Sequence, residues 1–303
     1  MKYFFGIDGG GTRSRLKIIT GNDELVYQGE GGSTNIYAVL PEEALDNVYT
    51  LLAGGLEAAG IGTADISAGC VGSAGLSRPP EKKLFEDFFK NRFGLTCPLY
   101  LCNDGEILLV GGLEKLEGLC LIAGTGSLAL GRLADGSTAR SGGYGYMIGD
   151  EGSAFWIAHQ AIRRSMRSME GRDLPTGMLD ALQKEYGLSS PDEFVYLLHK
   201  QFNKADIASR AGMVSGFALK KDPLAADILR EASENLVSLV VSVVSRMPEL
   251  EKADLVLSGG VLENDRYIRD QFAGLLGSKL PDVRIAEKRR NAVDGACMIA
   301  RSL

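Results

Sequence analysis

Apolar runs at 2–7, 14–20 and 24–29 open the chain and predict three short strands. The joins between them carry turn residues. Gly21-Asn22-Asp23 is a hairpin signal, and the first join, Asp8-Gly9-Gly10-Gly11-Thr12-Arg13, is unusually bare of side chains. The spacing then becomes helical. Leu45, Val48, Leu51, Leu52 and Leu56 predict a helix over 41–59, opened by Pro41. A buried strand at 66–71, an amphipathic helix at 81–93, a strand at 98–102 and an apolar helix at 106–113 follow. The order by residue 113 is β-β-β-α-β-α-β-α.

The pattern then restarts. Strands are predicted at 119–123, 128–133 and 138–141, with a second bare turn at Gly124-Thr125-Gly126-Ser127 and a hairpin turn at Asp135-Gly136. Gly142-Gly143 stands where Gly31-Gly32 stood, and a helix over 152–169 follows. The same element order therefore recurs about 115 residues later, which predicts two lobes of one plan. Residues 173–222 carry shorter helices. Asp222-Pro223 then caps a long helix, whose apolar positions from Ala225 to Val244 keep helical spacing until Pro248. A strand at 254–257, the turn Ser258-Gly259-Gly260, a helix at 264–276, a strand at 283–286 and a last helix from about 292 make a half-wound α/β finish. The expected fold class is α/β. A first lobe spans 1–115, and a larger second lobe spans 116–303 with a helical insertion over about 152–250. The last helix, about 292–303, is expected to pack back onto the first lobe.

Composition narrows the function classes. A chain of 303 residues can bury a substantial core in one large domain or two lobes. Its 39 glycines are roughly double the usual share and sit in discrete turns, as expected near ligands. A net charge of −6 with no basic stripe argues against a nucleic-acid partner. No apolar run approaches the roughly 18 residues of a membrane span, and the N-terminus runs straight into a strand without a signal-peptide pattern. Cys70, Cys97, Cys102, Cys120 and Cys297 form no CxxC pair and lie mostly in apolar runs, Cys97, Cys102 and Cys120 in predicted strands. They are expected to be reduced, buried residues of a cytoplasmic protein. Two histidines without a ligand pattern give no zinc signal.

Three features carry candidate chemistry. The first is the pair of turns, Gly9-Gly10-Gly11-Thr12 and Gly124-Thr125-Gly126-Ser127. Glycines let backbone N–H groups approach an anion, and threonine adds a hydroxyl, so each is either a phosphate-binding turn or an ordinary glycine hairpin. Two at equivalent places favour phosphate, and phosphoryl transfer asks mainly for positioning and charge stabilisation. The second is Asp104, just past a strand end and followed by Gly105. It is either a base that accepts the proton of an attacking hydroxyl or the N-cap of the helix at 106–113. The third is SGGYGYMIGDEGSAFWIAH, Ser141 to His159. Tyr144 in a glycine-rich loop offers a flat face for a sugar ring. Asp150 is either an acceptor for sugar hydroxyls or a helix N-cap. Trp156 and His159, one turn apart, are read as core or lobe-interface residues.

With these motifs assembled, the chain resembles the N-acetylglucosamine kinases of the BadF-type ATPase family, within the actin, Hsp70 and sugar-kinase superfamily. The likeness runs from GIDGGGTRS through GGSTN at 31–35, NDG at 103–105, AGTGS at 123–127 and GGYGYMIGDEGSAFWIAHQAI at 142–162 to SGG at 258–260 and DGA at 294–296. The block at 142–162 is the most specific; it departs chiefly at Tyr144, an aromatic position that is often Trp. The resemblance implies two actin-like (ribonuclease H-like) lobes with an interlobe cleft for ATP, Mg²⁺ and a small amino sugar. Asp104 would be the catalytic base. Gly9, Gly10, Gly11 and Thr12, with Gly124, Thr125, Gly126 and Ser127, would hold ATP phosphates, and Asp8 would sit near Mg²⁺ through water. Ala211, Gly259 and Gly260 would line the adenosine pocket. Asn35, Ser73, Gly143, Tyr144, Gly145 and Asp150 would bind the sugar. The implied reaction moves the ATP γ-phosphate to the 6-hydroxyl of N-acetylglucosamine, with N-acetylmuramate or glucosamine as alternative acceptors. Two other classes stay open: an ATP-dependent activator of an acyl-CoA dehydratase or reductase, which needs cysteines for a shared iron–sulfur cluster, and a non-catalytic sugar sensor or actin-like assembly protein. The sequence is silent on oligomeric state, although such kinases are often homodimers through the larger lobe.

Overall fold

A computed structural model describes residues 2–303. Strands β1 (Tyr3–Gly9), β2 (Ser14–Thr20) and β3 (Leu25–Gly31) lead into helix α1 (Pro41–Ala59). Strand β4 (Ile66–Ser73), helix α2 (Pro79–Asp87), strand β5 (Leu99–Cys102) and helix α3 (Asp104–Leu113) follow. Then come β6 (Gly118–Ala123), β7 (Ser127–Arg132), β8 (Thr138–Gly142) and α4 (Ala154–Met169). The helical stretch is α5 (Met178–Tyr186), α6 (Glu193–Lys200), α7 (Lys204–Ala208), α8 (Ala211–Leu219) and α9 (Pro223–Arg246). The chain closes with β9 (Asp254–Ser258), α10 (Gly260–Asn264), α11 (Arg266–Lys279), β10 (Arg284–Ala286) and α12 (Ala292–Ser302). Among the described residues no helix is long and apolar enough to cross a membrane.

The repetition of element order becomes a repetition of topology. The first sheet is ordered β3-β2-β1-β4-β5 and the second β8-β7-β6-β9-β10, so both place their third, second, first, fourth and fifth strands side by side. In the first sheet β1 runs antiparallel to β2 and parallel to β4. Two compact units divide the chain. One holds the chain up to Cys120, Arg132–Ser137 and Ala286–Leu303; the other holds Leu121–Gly131 and Thr138–Ile285.

In the first unit Phe5, Ile7, Leu16 and Ile18 of the β1–β2 pair meet Val48 and Leu52 of α1 and the cluster of Phe85, Phe88 and Phe89. These side chains are essentially removed from water, at about 25 cal/mol per Å² of apolar surface. Helix α12 packs against this sheet and α3, and its small residues explain how. A Cβ on Gly295 would overlap the carbonyl of Ile107, and one on Gly6 would lie within 2.8 Å of Ala296. Lys17 and Asp294 add an ion pair at 2.5 Å.

Several boundaries differ from the periodicity for identifiable reasons. Asp8 and Gly9 belong to β1 rather than to the turn, because pairing continues through Gly9 opposite Ser14. Helix α3 begins at Asp104, not 106, because Asn103 is its N-cap. Helix α4 begins at Ala154, not 152: Gly152 has φ +77° and Ser153 is the cap. Helix α2 ends early, and Phe88–Arg92 winds into a wider turn. Cys97 precedes β5 instead of lying in it.

Candidate active site

In the first unit a glycine turn and two carboxylates share the C-terminal ends of β1, β4 and β5. The turn after β1 is closed by Gly10 N–H donating to the Arg13 carbonyl at 3.0 Å, and it leaves Gly11, Thr12 and Arg13 exposed. Its underside is stitched by hydroxyls. Ser33 donates to the Gly10 carbonyl at 3.0 Å, and Thr34 bonds both Ser14 and Ser73 at 3.1 Å. This explains Gly9, whose Cβ would lie 2.6 Å from the Ser73 hydroxyl. Ser73 itself is 1% exposed and its hydroxyl is committed to Thr34 and neighbouring carbonyls. It braces the turn from beneath, a different position from that of an exposed sugar ligand.

Asp104 is the first residue of α3. Asn103 caps the helix, its Oδ1 accepting Gly105 N–H at 2.9 Å and its Nδ2 donating to Ser77 at 3.0 Å. The cap role is therefore filled, and the Asp104 carboxylate accepts Gly105 N–H at 3.1 Å. Burial first, and then the negative charge of Asp8, push Asp104 up to about 6. Asp8 is also raised by burial, against the lowering pull of Arg15, 3.9 Å away, and Arg13. Two hard oxygen donors, both raised by burial and one of them raised further by the other's charge, fit a divalent cation such as Mg²⁺. Among the described residues no group of three or more His, Cys, Asp or Glu could hold a metal, so such an ion would need phosphate oxygens or water as its other ligands. Asn35 lies beside the turn: a Cβ on Gly11 would lie 3.8 Å from its Nδ2, and its Oδ1 accepts Tyr37 N–H at 2.9 Å.

The second unit carries the other turn and a large cavity. Gly124 N–H donates to the Gly126 carbonyl at 2.9 Å, Thr125 is exposed, and Ala154 N–H at the start of α4 donates to the Gly124 carbonyl at 2.8 Å. The cavity, about 1170 Å³, is lined by Gly124, Thr125, Ala211 and Gly260, with Ser215 and Gly216 of α8 and Tyr267 of α11. Four of the residues assigned to ATP thus share one space, of a size suited to a nucleotide. Gly126, Ser127 and Gly259 are not in that lining. Ser127 is buried, and Gly259, at φ +94°, packs on the backbone of Ala123 where no side chain fits.

The loop after β8 uses left-handed glycines at Gly142, Gly143 and Gly145, which present Tyr144 exposed with Arg140 over its ring at 5.1 Å. Asp150 is turned inward. It is not the helix cap. Its Oδ1 accepts Ser127 N–H at 3.3 Å and its Oδ2 accepts from Lys204 at 2.9 Å. One buried carboxylate therefore joins the second turn to the loop. Lys204 also lies over the rings of Tyr146 and Phe155. The sequence reading missed Lys204, which stands 54 residues from its partner with no local signal. His159 is half-buried and stacked on Phe155, 5.5 Å between rings. Burial lowers its proton affinity.

The model of the BadF/BadG/BcrA/BcrD ATPase family matches residues 5–298. An N-acetylmuramic acid/N-acetylglucosamine kinase of Clostridium acetobutylicum is 35% identical over 306 positions, covering 100% of this chain and 99% of the relative. Glucosamine kinase GspK of Vibrio cholerae is 25% identical over 302 positions, covering 99% and 96%. Among solved structures, a Chromobacterium violaceum protein proposed as an N-acetylglucosamine kinase superposes with a TM-score of 0.75 at 23% identity, covering 99% of both chains. A ROK family glucokinase from Streptomyces griseus, solved with glucose and AMPPNP, gives 0.56 at 17% identity, covering 99% and 100%. These two structural likenesses concern the fold, which is that of the actin-like sugar kinases.

Proposed function

The chain belongs to the BadF/BadG/BcrA/BcrD ATPase family, and from that premise we propose that it is an ATP-dependent kinase of amino sugars, transferring the γ-phosphoryl group to the 6-hydroxyl of N-acetylglucosamine. The observation that carries the reading is Asp104: a carboxylate at a strand end, relieved of cap duty and raised to about 6. Such a group is ionised at neutral pH yet basic enough to accept the proton of an attacking hydroxyl. Asn35 and the Gly143–Tyr144–Gly145 loop bind the sugar, and Asp150 sets that loop. The exposed N–H groups and threonines of the two turns hold phosphates, and Ala211 and Gly260 line the adenosine space. Asp8, with Asp104 nearby, would hold Mg²⁺ through water, and the ion supplies charge neutralisation on the transferring phosphoryl group.

The relatives keep two further acceptors in play, N-acetylmuramate and glucosamine, each named for a relative of comparable length. The activator reading gains nothing from the structure, since Cys70, Cys102, Cys120 and Cys297 are buried. ADP release measured across glucose, glucosamine, N-acetylglucosamine, N-acetylmannosamine and N-acetylmuramate tests the proposal. Acetamido-sugar-dependent release is expected. Release that ignores every sugar would overturn it.

A further inference from the structure

Arg78 is a half-exposed cation held in a fixed place by Tyr37 and Glu81. It stands at the N-terminal end of α2, where its Nη1 donates to the Tyr37 hydroxyl at 2.8 Å and to Glu81 at 3.2 Å. Its guanidinium lies 5.8 Å from the centre of the Tyr37 ring. Glu81 is buried and accepts two further bonds, from the Tyr37 hydroxyl and from Arg78 N–H at 2.5 Å, the second closing the capping box at the start of α2. The guanidinium is therefore held at Nη1, while Nη2 and Nε carry no bond to another described residue. A guanidinium fixed at one nitrogen and open along its other edge is arranged to grip a second carboxylate in a two-point contact.

The neighbours of Arg78 belong to the acceptor side of the first unit. Tyr37 N–H is bound by Asn35 Oδ1 at 2.9 Å. Gly75, at φ +90°, presses on both: a Cβ there would lie 2.8 Å from Asn35 Oδ1 and from the Tyr37 ring. Ser77, adjacent to Arg78, accepts from Asn103, the residue before Asp104. One short segment, 75–78, thus touches the proposed sugar ligand at one end and the support of the proposed base at the other.

We propose that Arg78 is a specificity-determining residue that binds the carboxylate of an acidic substituent on the acceptor sugar, as the 3-O-lactyl ether of a muramic acid provides. The inference rests on the amino-sugar kinase reading and sharpens it to an acceptor class. A neutral acetamido sugar leaves Nη2 and Nε in water at little cost, so the subsite adds an acidic acceptor without excluding a neutral one. The recognition is charge-assisted, and it weakens as salt rises.

The test compares N-acetylmuramic acid, its methyl ester and N-acetylglucosamine as acceptors for the wild type, Arg78→Gln and Arg78→Lys. The wild type should favour the acid over the ester by about tenfold or more in kcat/KM, chiefly through KM. Arg78→Gln should lose that preference while its kcat/KM with N-acetylglucosamine stays within about twofold, and Arg78→Lys should recover part of it. Equal losses on all three acceptors would make Arg78 only a support of Tyr37 and Glu81 and overturn the subsite. So would a wild type that phosphorylates N-acetylglucosamine but neither muramic compound, or that treats acid and ester alike. A wild type inactive on all three would instead refute the kinase reading itself.

Discussion

Asp104 should be stabilising to remove and fatal to activity. Its carboxyl is raised from 3.8 to about 6, first by burial and then by Asp8, so the folded protein holds its proton more tightly than the unfolded chain does. The sign follows from linkage. Well below pH 3.8 the group is protonated in both states and contributes nothing. Between 3.8 and about 6 only the folded state keeps the proton, and stability falls as pH rises. Above that range both states are ionised, and the full penalty, about 3 kcal/mol as an upper figure, is present. Asp104→Asn keeps the shape and an oxygen to accept Gly105 N–H, and it removes the charge. Thermal unfolding of wild type and variant from pH 4 to 8 should show a variant that comes closest to the wild type near pH 4. At pH 7.5 it should melt higher, by several degrees for about 3 kcal/mol. A variant that melts lower at pH 7.5, or a difference that does not change with pH, would refute the argument that Asp104 is a strained, buried anion.

Asp8→Asn removes the like charge facing Asp104, so the acidic limb of the kcat/KM profile should move to lower pH; a limb that stays in place would separate the two carboxylates. Gly295→Ala should cost about 3 kcal/mol or more, read as a lowered denaturation midpoint, because its Cβ overlaps the Ile107 carbonyl where α12 crosses α3. A neutral effect would mean that α12 can shift freely. Lys204→Met strips the cation from buried Asp150 and should destabilise by about 2 kcal/mol, with part recovered in the double variant with Asp150→Asn. It should also raise KM for the sugar more than KM for ATP, and an effect confined to ATP would sink the link from Asp150 to the sugar loop.

The repeated architecture was legible because strand and helix periods differ so strongly in this chain. Three strands, a bare turn and a Gly-Gly exit recur in register, and both sheets adopt one strand order. The closing Asp294-Gly295-Ala296 was visible as a motif, and the crossing of α12 over α3 and β1 shows why its residues are small. Helix starts were less legible where two capping residues compete. Asn103 and Asp104 are adjacent and both suit a cap, as do Asp150 and Ser153, and only the folded geometry decides which one turns to the helix. Long-range charge pairing was not legible at all. Nothing near Asp150 announces Lys204, and nothing near Asn35 announces Arg78, since a partner 40 or more residues away leaves no periodic trace. The resemblance implies Ser73 as a sugar ligand, yet its burial and its bond to Thr34 make it a brace of the turn.

The central claim is that Asp104 takes the proton of a sugar hydroxyl while the two turns hold ATP. Single-turnover transfer from ATP to N-acetylglucosamine by Asp104→Asn, measured with ATP affinity on the same preparation, tests it most directly. Transfer should fall by about three orders of magnitude while ATP affinity stays within a few-fold of wild type. Transfer near the wild-type rate would contradict the account.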